Sequence, residues 1–255
     1  MTESANPYAM ETNSSGDQLR FRERLNDMYR TSPLPLEHLV YNFGLYTRSS
    51  VLVKTLVINE IYELILPVPG IIIEFGTWWG QNLVMFENLR AIYEPFNKTR
   101  KIVGFDTFEG YSSFSSKDRP GQVITEGGYA ATPDYPAYLR ELLAVHEGNN
   151  VLGHLRNRHE IVKGDVVQTA PKYFADHPET VVALAYFDLA LYEPTKACLK
   201  AIRPHLVPGS VILLDEFTWA EAPGEAIAFK ELFKGSEYTI RRSRYTAERA
   251  IVTIK

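Results

Sequence analysis

The chain has 255 residues, 45% hydrophobic and 23% charged, which fits one large globular domain with modest additions. A formal charge of −4, from 27 basic and 31 acidic side chains, gives no electrostatic case for nucleic acid as the main partner. No apolar run approaches the ~20 residues of a membrane span, the N-terminus lacks an apolar signal core, and Cys198 as sole cysteine excludes disulfide frameworks and zinc-finger spacings, so a reducing, cytoplasmic setting is expected.

Residues 1–18 are polar and read as a disordered lead-in. The remainder, 19–255, reads as a single domain. Its first part, 19–69, forms a helical cap: Leu19, Phe21, Leu25 and Met28 lie on a rough helical spacing, and Ser32-Pro33-Leu34-Pro35 breaks it. Apolar residues then recur at helical spacing from Val40 to Leu66 and stop before Pro67 and Pro69. Arg48, near the start of that run, is placed either to hold a carboxylate or to sit as an exposed charge. Uncovered apolar residues in these N-terminal helices favour a homodimer.

Gly70-Ile71-Ile72-Ile73-Glu74-Phe75-Gly76-Thr77-Trp78-Trp79-Gly80 follows. A turn residue, a short β-branched run, an acid and two glycines four apart predict a buried parallel strand over 71–75 that delivers a Gly-rich turn into a helix over 80–93. A second strand is predicted over 101–106. Residues 107–135 are rich in Ser, Gly and Pro, a connection long enough to act as a lid, with Tyr111, Phe114 and Tyr129 as candidates to line a pocket beneath it. Then come a helix over 136–146, a strand over 160–163, a short helix over 169–176, a strand over 181–187 and a helix over 193–203 holding Cys198 as packing. Pro208-Gly209 reads as a turn before a strand over 211–214. A helix to about 233 and an antiparallel pair, 237–242 and 247–254, close the chain. Repeated βα units predict an α/β fold: a doubly wound, mostly parallel seven-stranded sheet of Rossmann-like type, covered on both faces, with an antiparallel last strand.

Glu74, Asp106, Asp165, Asp188 and Asp215 each lie at or just after the C-terminal end of a predicted strand. One such Asp is readily explained as a strand end or helix cap, but five together line the sheet edge at which small ligands bind. Asp106, after the second strand, is suited to accept both ribose hydroxyls of a nucleoside. Gly76 and Gly80 let the backbone approach the ligand, while bulky Trp78 and Trp79 disfavour a pyrophosphate, so a nucleoside without phosphates suits the turn better. Strands four and five should be neighbours, bringing Asp188, Asp215 and Glu216 within a few ångströms. Unpaired, they would repel one another and raise their own pKa values; a hard divalent cation resolves that repulsion. The alternative is that Glu216 faces solvent and Asp215 caps a turn. His146, His154, His159, His177 and His205 show no paired spacing, and most read as surface or capping residues.

The motifs Ile73-Glu74-Phe75-Gly76-Thr77-Trp78-Trp79-Gly80, Ile92-Tyr93-Glu94-Pro95-Phe96-Asn97, Gly104-Phe105-Asp106-Thr107-Phe108-Glu109-Gly110, Phe187-Asp188-Leu189-Ala190-Leu191-Tyr192-Glu193-Pro194-Thr195, Leu214-Asp215-Glu216-Phe217 and Pro223-Gly224-Glu225 resemble the macrocin O-methyltransferase-like family of S-adenosylmethionine (SAM) dependent enzymes, found in antibiotic-sugar and surface-glycan biosynthesis. They span roughly residues 40–230. The resemblance implies a SAM methyltransferase fold with SAM held at Glu74, Gly76, Thr77, Gly80, Asp106 and Thr107, with Asp165 and Arg48 as further candidates. It also implies, often, magnesium, here on Asp188, Asp215 and Glu216. The acceptor would be a small sugar or natural product, with Asp188 as best candidate for the base that takes its proton and a histidine, His146 or His154 if the lid folds over them, as the alternative. Many relatives carry a second acid in a D-x-D pattern where this chain has Ala190. A nicotinamide-dependent oxidoreductase, a non-catalytic SAM-binding protein and, third, a nucleic-acid methyltransferase are the competing readings.

Overall fold

The computed structural model describes residues 14–119, 121 and 124–255, so most of the expected lead-in lies outside the described residues. Its last part is helical: α1 spans Gly16–Arg30, and Ser15 closes its N-terminus as a capping box with Gln18. The long helix expected from Val40 is divided into α2 (Leu36–Tyr41), a 3-10 turn (Phe43–Tyr46) and α3 (Ser49–Ile65), because Thr47 and Arg48 are extended and interrupt it. None of α1, α2 or the turn contains a buried residue. No helix among the described residues is long and apolar enough to cross a membrane.

Seven strands form the sheet: β1 (Ile71–Phe75), β2 (Ile102–Asp106), β3 (Glu160–Lys163), β4 (Val182–Phe187), β5 (Leu206–Leu214), β6 (Tyr238–Arg242) and β7 (Ala250–Ile254). Their order is β3-β2-β1-β4-β5-β7-β6, parallel from β3 through β5, with β7 antiparallel to both its neighbours. The strand order reverses between β1 and β4, which opens a crevice at their carboxyl ends. Fully buried β4, Val-Ala-Leu-Ala-Tyr-Phe, shows the unbroken apolar run of a central parallel strand.

Among the described residues five α-helices follow β1: α4 (Gln81–Tyr93), α5 (Tyr135–Gly148), α6 (Val166–Asp176), α7 (Tyr192–Ile202) and α8 (Gly224–Leu232). One face of the sheet packs against α3, α4 and α5 through Ile58, Ile61, Leu83, Phe86, Leu139 and Leu143. The other packs against α6, α7 and α8 through Phe174, Leu199, Phe229 and the buried thiol of Cys198. β5 begins five residues before the predicted strand. Its Pro208-Gly209 does not end the strand but bulges from it: Val182 pairs with Leu206 while Leu184 pairs with Val211, and Ser210 Oγ ties the bulge to the Val182 carbonyl at 2.7 Å.

Register places the functional edge. Phe75 is level with Phe105 on one side and Phe187 on the other, and Phe187 is level with Leu214. The three phenylalanine rings touch, with centroids 5.1 and 5.0 Å apart. The next residue of each strand is Gly76, Asp106, Asp188 or Asp215, so these four emerge at one height along the crevice.

Candidate active site

The crevice holds a cavity of about 280 Å³, lined among others by Gly76, Trp78, Asp106, Thr107, Asp165, Asp188, Asp215 and Glu216. Gly76 adopts φ +90°, and a Cβ there would overlap the Asp188 carbonyl oxygen. The glycine therefore lets β1 and β4 close on each other at the switch point. Gly76→Ala is expected to cost more than ~3 kcal/mol and leave little folded protein, read by denaturant titration; wild-type stability would show that the loops separate freely.

Asp106 stands where a nucleoside-binding acid is expected, and it already has backbone partners. Its two oxygens accept from the Trp78 N–H at 2.7 Å and the Phe108 N–H at 2.6 Å. Trp78 and Phe108 both have positive φ, so the carboxylate pins two strained turns around the cavity. Burial pushes its pKa up, and the Trp78 and Phe108 N–H groups hold that rise in check. Asp165 is the N-cap of α6, accepting from the Val167 N–H at 2.9 Å, and also lines the cavity. Capping and lining are compatible there.

Four other residues of the expected SAM set lie outside the lining. Thr77 is buried with its hydroxyl toward the Phe105 carbonyl, 3.4 Å away. Gly80 has φ +74° and is covered by Leu139. Glu74 points to the α4 side, where Asn82 Nδ2 donates to it at 2.6 Å; its other oxygen is buried without a hydrogen bond. Burial drives the Glu74 carboxyl far above its usual pKa, with Lys54 the main opposing influence. Arg48 is the N-cap residue of α3, away from the cavity wall. Thr77, Gly80 and Glu74 shape the turn from behind; strand alternation sends Glu74 to the α4 face with Ile72, while the residues after the strand ends reach the cavity.

Asp188, Asp215 and Glu216 each offer an oxygen within 4.8 Å of the others. The expected repulsion is answered from within the chain. Arg249, just before β7, bonds both oxygens of Asp215, and the Tyr186 hydroxyl donates to the same carboxylate at 2.5 Å. Burial opposes ionisation of Asp215, yet Arg249 holds it below the usual carboxylate range. Lys54 of α3 stands 3.6 Å from Asp188. Burial and the nearby Asp215 push Asp188 up to about 6, with Lys54 and Arg249 limiting the rise. Glu216 does not face solvent: its Oε2 is buried without a hydrogen bond.

Glu225 joins the two acidic loops. It is fully buried and accepts from the backbone N–H groups of Leu189 (3.2 Å), Ala190 (3.4 Å) and Glu216 (3.2 Å). Burial pushes its carboxyl well up from the usual carboxylate range, and the Leu189 and Glu216 N–H groups limit that rise. Ala190, at φ +58°, turns the loop beneath it.

The connection over 107–135 contains no strand among its described residues, and its only helical residue is Tyr135 at the start of α5. It folds over the cavity, with Tyr111 and Gly127–Gly128 exchanging backbone hydrogen bonds of 2.9 and 3.0 Å. Asp118 fastens it by capping α7 through the Tyr192 N–H at 2.7 Å. Tyr111, Tyr129 and Trp219 line the cavity, whereas Phe114 packs beside Ile124 and Ala222. His146 and His154 do not reach it, and His159 is buried on Glu87 at 2.8 Å. Lys54, Arg249, Tyr186 and Trp219 join the site without having been expected there. Only Lys54 left a signal, as a lone cation within the apolar run Val51-Leu52-Val53-Lys54-Thr55-Leu56-Val57.

A profile of the methyltransferase domain family matches residues 73–217. The crystal structure of CalS11, described as a calicheamicin methyltransferase, is 40% identical, covers 99% of this chain and 98% of its own, and superposes with a TM-score of 0.90. The apo structure of CalS11, described as a TDP-rhamnose 3'-O-methyltransferase of calicheamicin biosynthesis, is likewise 40% identical, over 95% and 96% of the two chains, with a TM-score of 0.82. The O-methyltransferase NovP, 16% identical over 80% of each chain with a TM-score of 0.61, shares the fold. Among curated proteins, the 8-demethyl-8-(2,3-dimethoxy-alpha-L-rhamnosyl)-tetracenomycin-C 4'-O-methyltransferase of Streptomyces olivaceus is 26% identical over 159 residues, 59% of this chain. The match spans about half, 54%, of that relative's length.

Proposed function

This chain belongs to the methyltransferase domain family, and from that premise we propose that it moves the methyl group of SAM to a hydroxyl of a rhamnose-type deoxysugar in natural-product biosynthesis. The observation that carries this reading is that Asp106, Asp165, Asp188, Asp215 and Glu216 line one cavity at the switch point of the sheet. The buried Trp78 indole N–H in the same wall has no hydrogen-bond partner, which supports a ligand bearing acceptors there.

SAM supplies an electrophilic methyl on a sulfonium centre. In this reading Asp106 takes the ribose hydroxyls, Gly76 lets the chain approach, Thr107 and Asp165 bound the nucleoside, and Tyr111, Tyr129 and Trp219 enclose the sugar. Asp188 accepts the proton of the hydroxyl as its oxygen bonds to the methyl carbon and the sulfur keeps the electron pair. Alignment of the two reactants supplies most of the rate.

Asp188, Asp215 and Glu216 would hold a divalent cation such as magnesium. The orphaned Glu216 Oε2 supports that donor set, and such an ion would lower the pKa of the sugar hydroxyl. A second copy of this chain is proposed as the cover of the N-terminal arm, where Leu36 and Tyr41 are 74% and 89% exposed: helices this short are marginal in water without packing.

The test is incubation with SAM carrying a ¹³C methyl group and either a nucleotide-linked or an aglycone-linked rhamnose. A new ¹³C O-methyl resonance on one of them is expected. SAM binding with no transfer to either would favour a non-catalytic binding role, and reduced-nicotinamide absorbance in the purified protein would favour an oxidoreductase.

A further inference from the structure

The two cations that answer the acidic rim are held in different ways. Arg249 is a fixed partner: it grips both oxygens of Asp215, and that carboxylate is bound by Tyr186 as well. Lys54 makes one contact with the rim, 3.6 Å to Asp188 Oδ2, too long for a hydrogen bond. It hangs on a flexible four-carbon stem, and both partners are 27% exposed, open to the cavity. Among the described residues, Lys54 is the sole lysine or arginine lining that cavity, whereas Arg249 lies outside the lining.

Position adds to this. Asp188 is one of three carboxylates whose oxygens lie within 4.8 Å of one another, and Glu216 keeps a buried oxygen without a partner. An ammonium and a divalent ion that both draw on the Asp188 carboxylate would stand a few ångströms apart, where like charges repel strongly. They are alternatives for one place. Lys54 comes from α3, outside the sheet and its strand-end loops, so it can withdraw without disturbing the loops that carry the acids.

We propose that Lys54 is an exchangeable counter-cation of the acidic rim, holding Asp188 while no metal is bound and swinging into the cavity when a divalent ion takes the three carboxylates. This rests on the reading of Asp188, Asp215 and Glu216 as metal ligands, and it makes the chain's affinity for metal weaker than its acids alone would give.

The test is direct binding of Mn²⁺, followed through the electron paramagnetic resonance signal of the free ion, to wild type, Lys54→Met and Lys54→Gln. Calorimetric binding of S-adenosylhomocysteine confirms that each variant is folded, and the second variant covers a folding failure of the first. Both variants are expected to bind Mn²⁺ at least about tenfold more tightly than wild type. Mn²⁺ should also raise their melting temperature more than it raises that of wild type. Equal or weaker Mn²⁺ binding by folded variants, with wild type binding the ion, overturns the role of Lys54 and leaves the metal site standing. Absence of Mn²⁺ binding in all three proteins at millimolar ion overturns both.

Discussion

Asp106→Ala is expected to weaken SAM binding about a hundredfold or more in isothermal titration calorimetry. Two losses coincide. Charge-assisted hydrogen bonds to the ribose hydroxyls are each worth roughly 1.5–3 kcal/mol. In addition, the carboxylate holds the Trp78 and Phe108 N–H groups at 2.7 and 2.6 Å, and without it both positive-φ residues lose what keeps them around the cavity. Asp106→Asn separates these effects: one carbonyl oxygen still accepts, while its NH₂ group meets an N–H donor. It should bind SAM with intermediate affinity. Unchanged affinity in the alanine variant would refute the ribose assignment whatever the fate of the turn.

The second large effect falls on turnover. Asp188→Asn is expected to lower kcat by about a thousandfold, the range of a lost general base, while SAM affinity changes only a few-fold. The side chain is close in volume, and the Asp188 backbone N–H still bonds the Phe75 carbonyl at 2.9 Å, so the crevice keeps its form. The pH profile supplies a check on the role. Burial and Asp215 raise the Asp188 carboxyl to about 6; a base must be unprotonated to act, so wild-type kcat should fall as pH drops through about 6. The variant should lack that limb. The same sign governs stability: a carboxyl whose pKa is raised on folding binds its proton more tightly in the native state. Its contribution is therefore most favourable below the usual carboxylate range and declines as pH rises toward 6. An asparagine variant with wild-type kcat would remove Asp188 from the chemistry.

Much of this architecture is legible in the chain because it is local. The β-branched run of β1, the turn glycine Gly76 and the acids closing β2, β4 and β5 are each written within a few residues. Period and breaker chemistry set their carboxyl ends to within one position. Two misreadings share a cause. The helix expected from Val40 is interrupted at Thr47 and Arg48, and Pro208-Gly209 sits in a bulge within β5; in both places what the neighbouring elements require overrides the local pattern. Thr77, Gly80 and Glu74 carry family-like motif letters, yet they support the turn from behind while Trp78, between them, reaches the cavity.

The gathering of several carboxylates at one rim of a parallel sheet follows from chain order alone, since strand ends in a doubly wound fold point the same way. Whether those acids stand bare, chelate or pair was decided only in three dimensions. Lys54 lies more than a hundred residues from Asp188, and Arg249 meets Asp215 only because β7 pairs antiparallel with β5, with Ala250 opposite Leu214. No spacing rule encodes such meetings; they depend on which helix and which strand pack against the crevice, and at a few ångströms in a buried site that packing sets the charge of the whole rim.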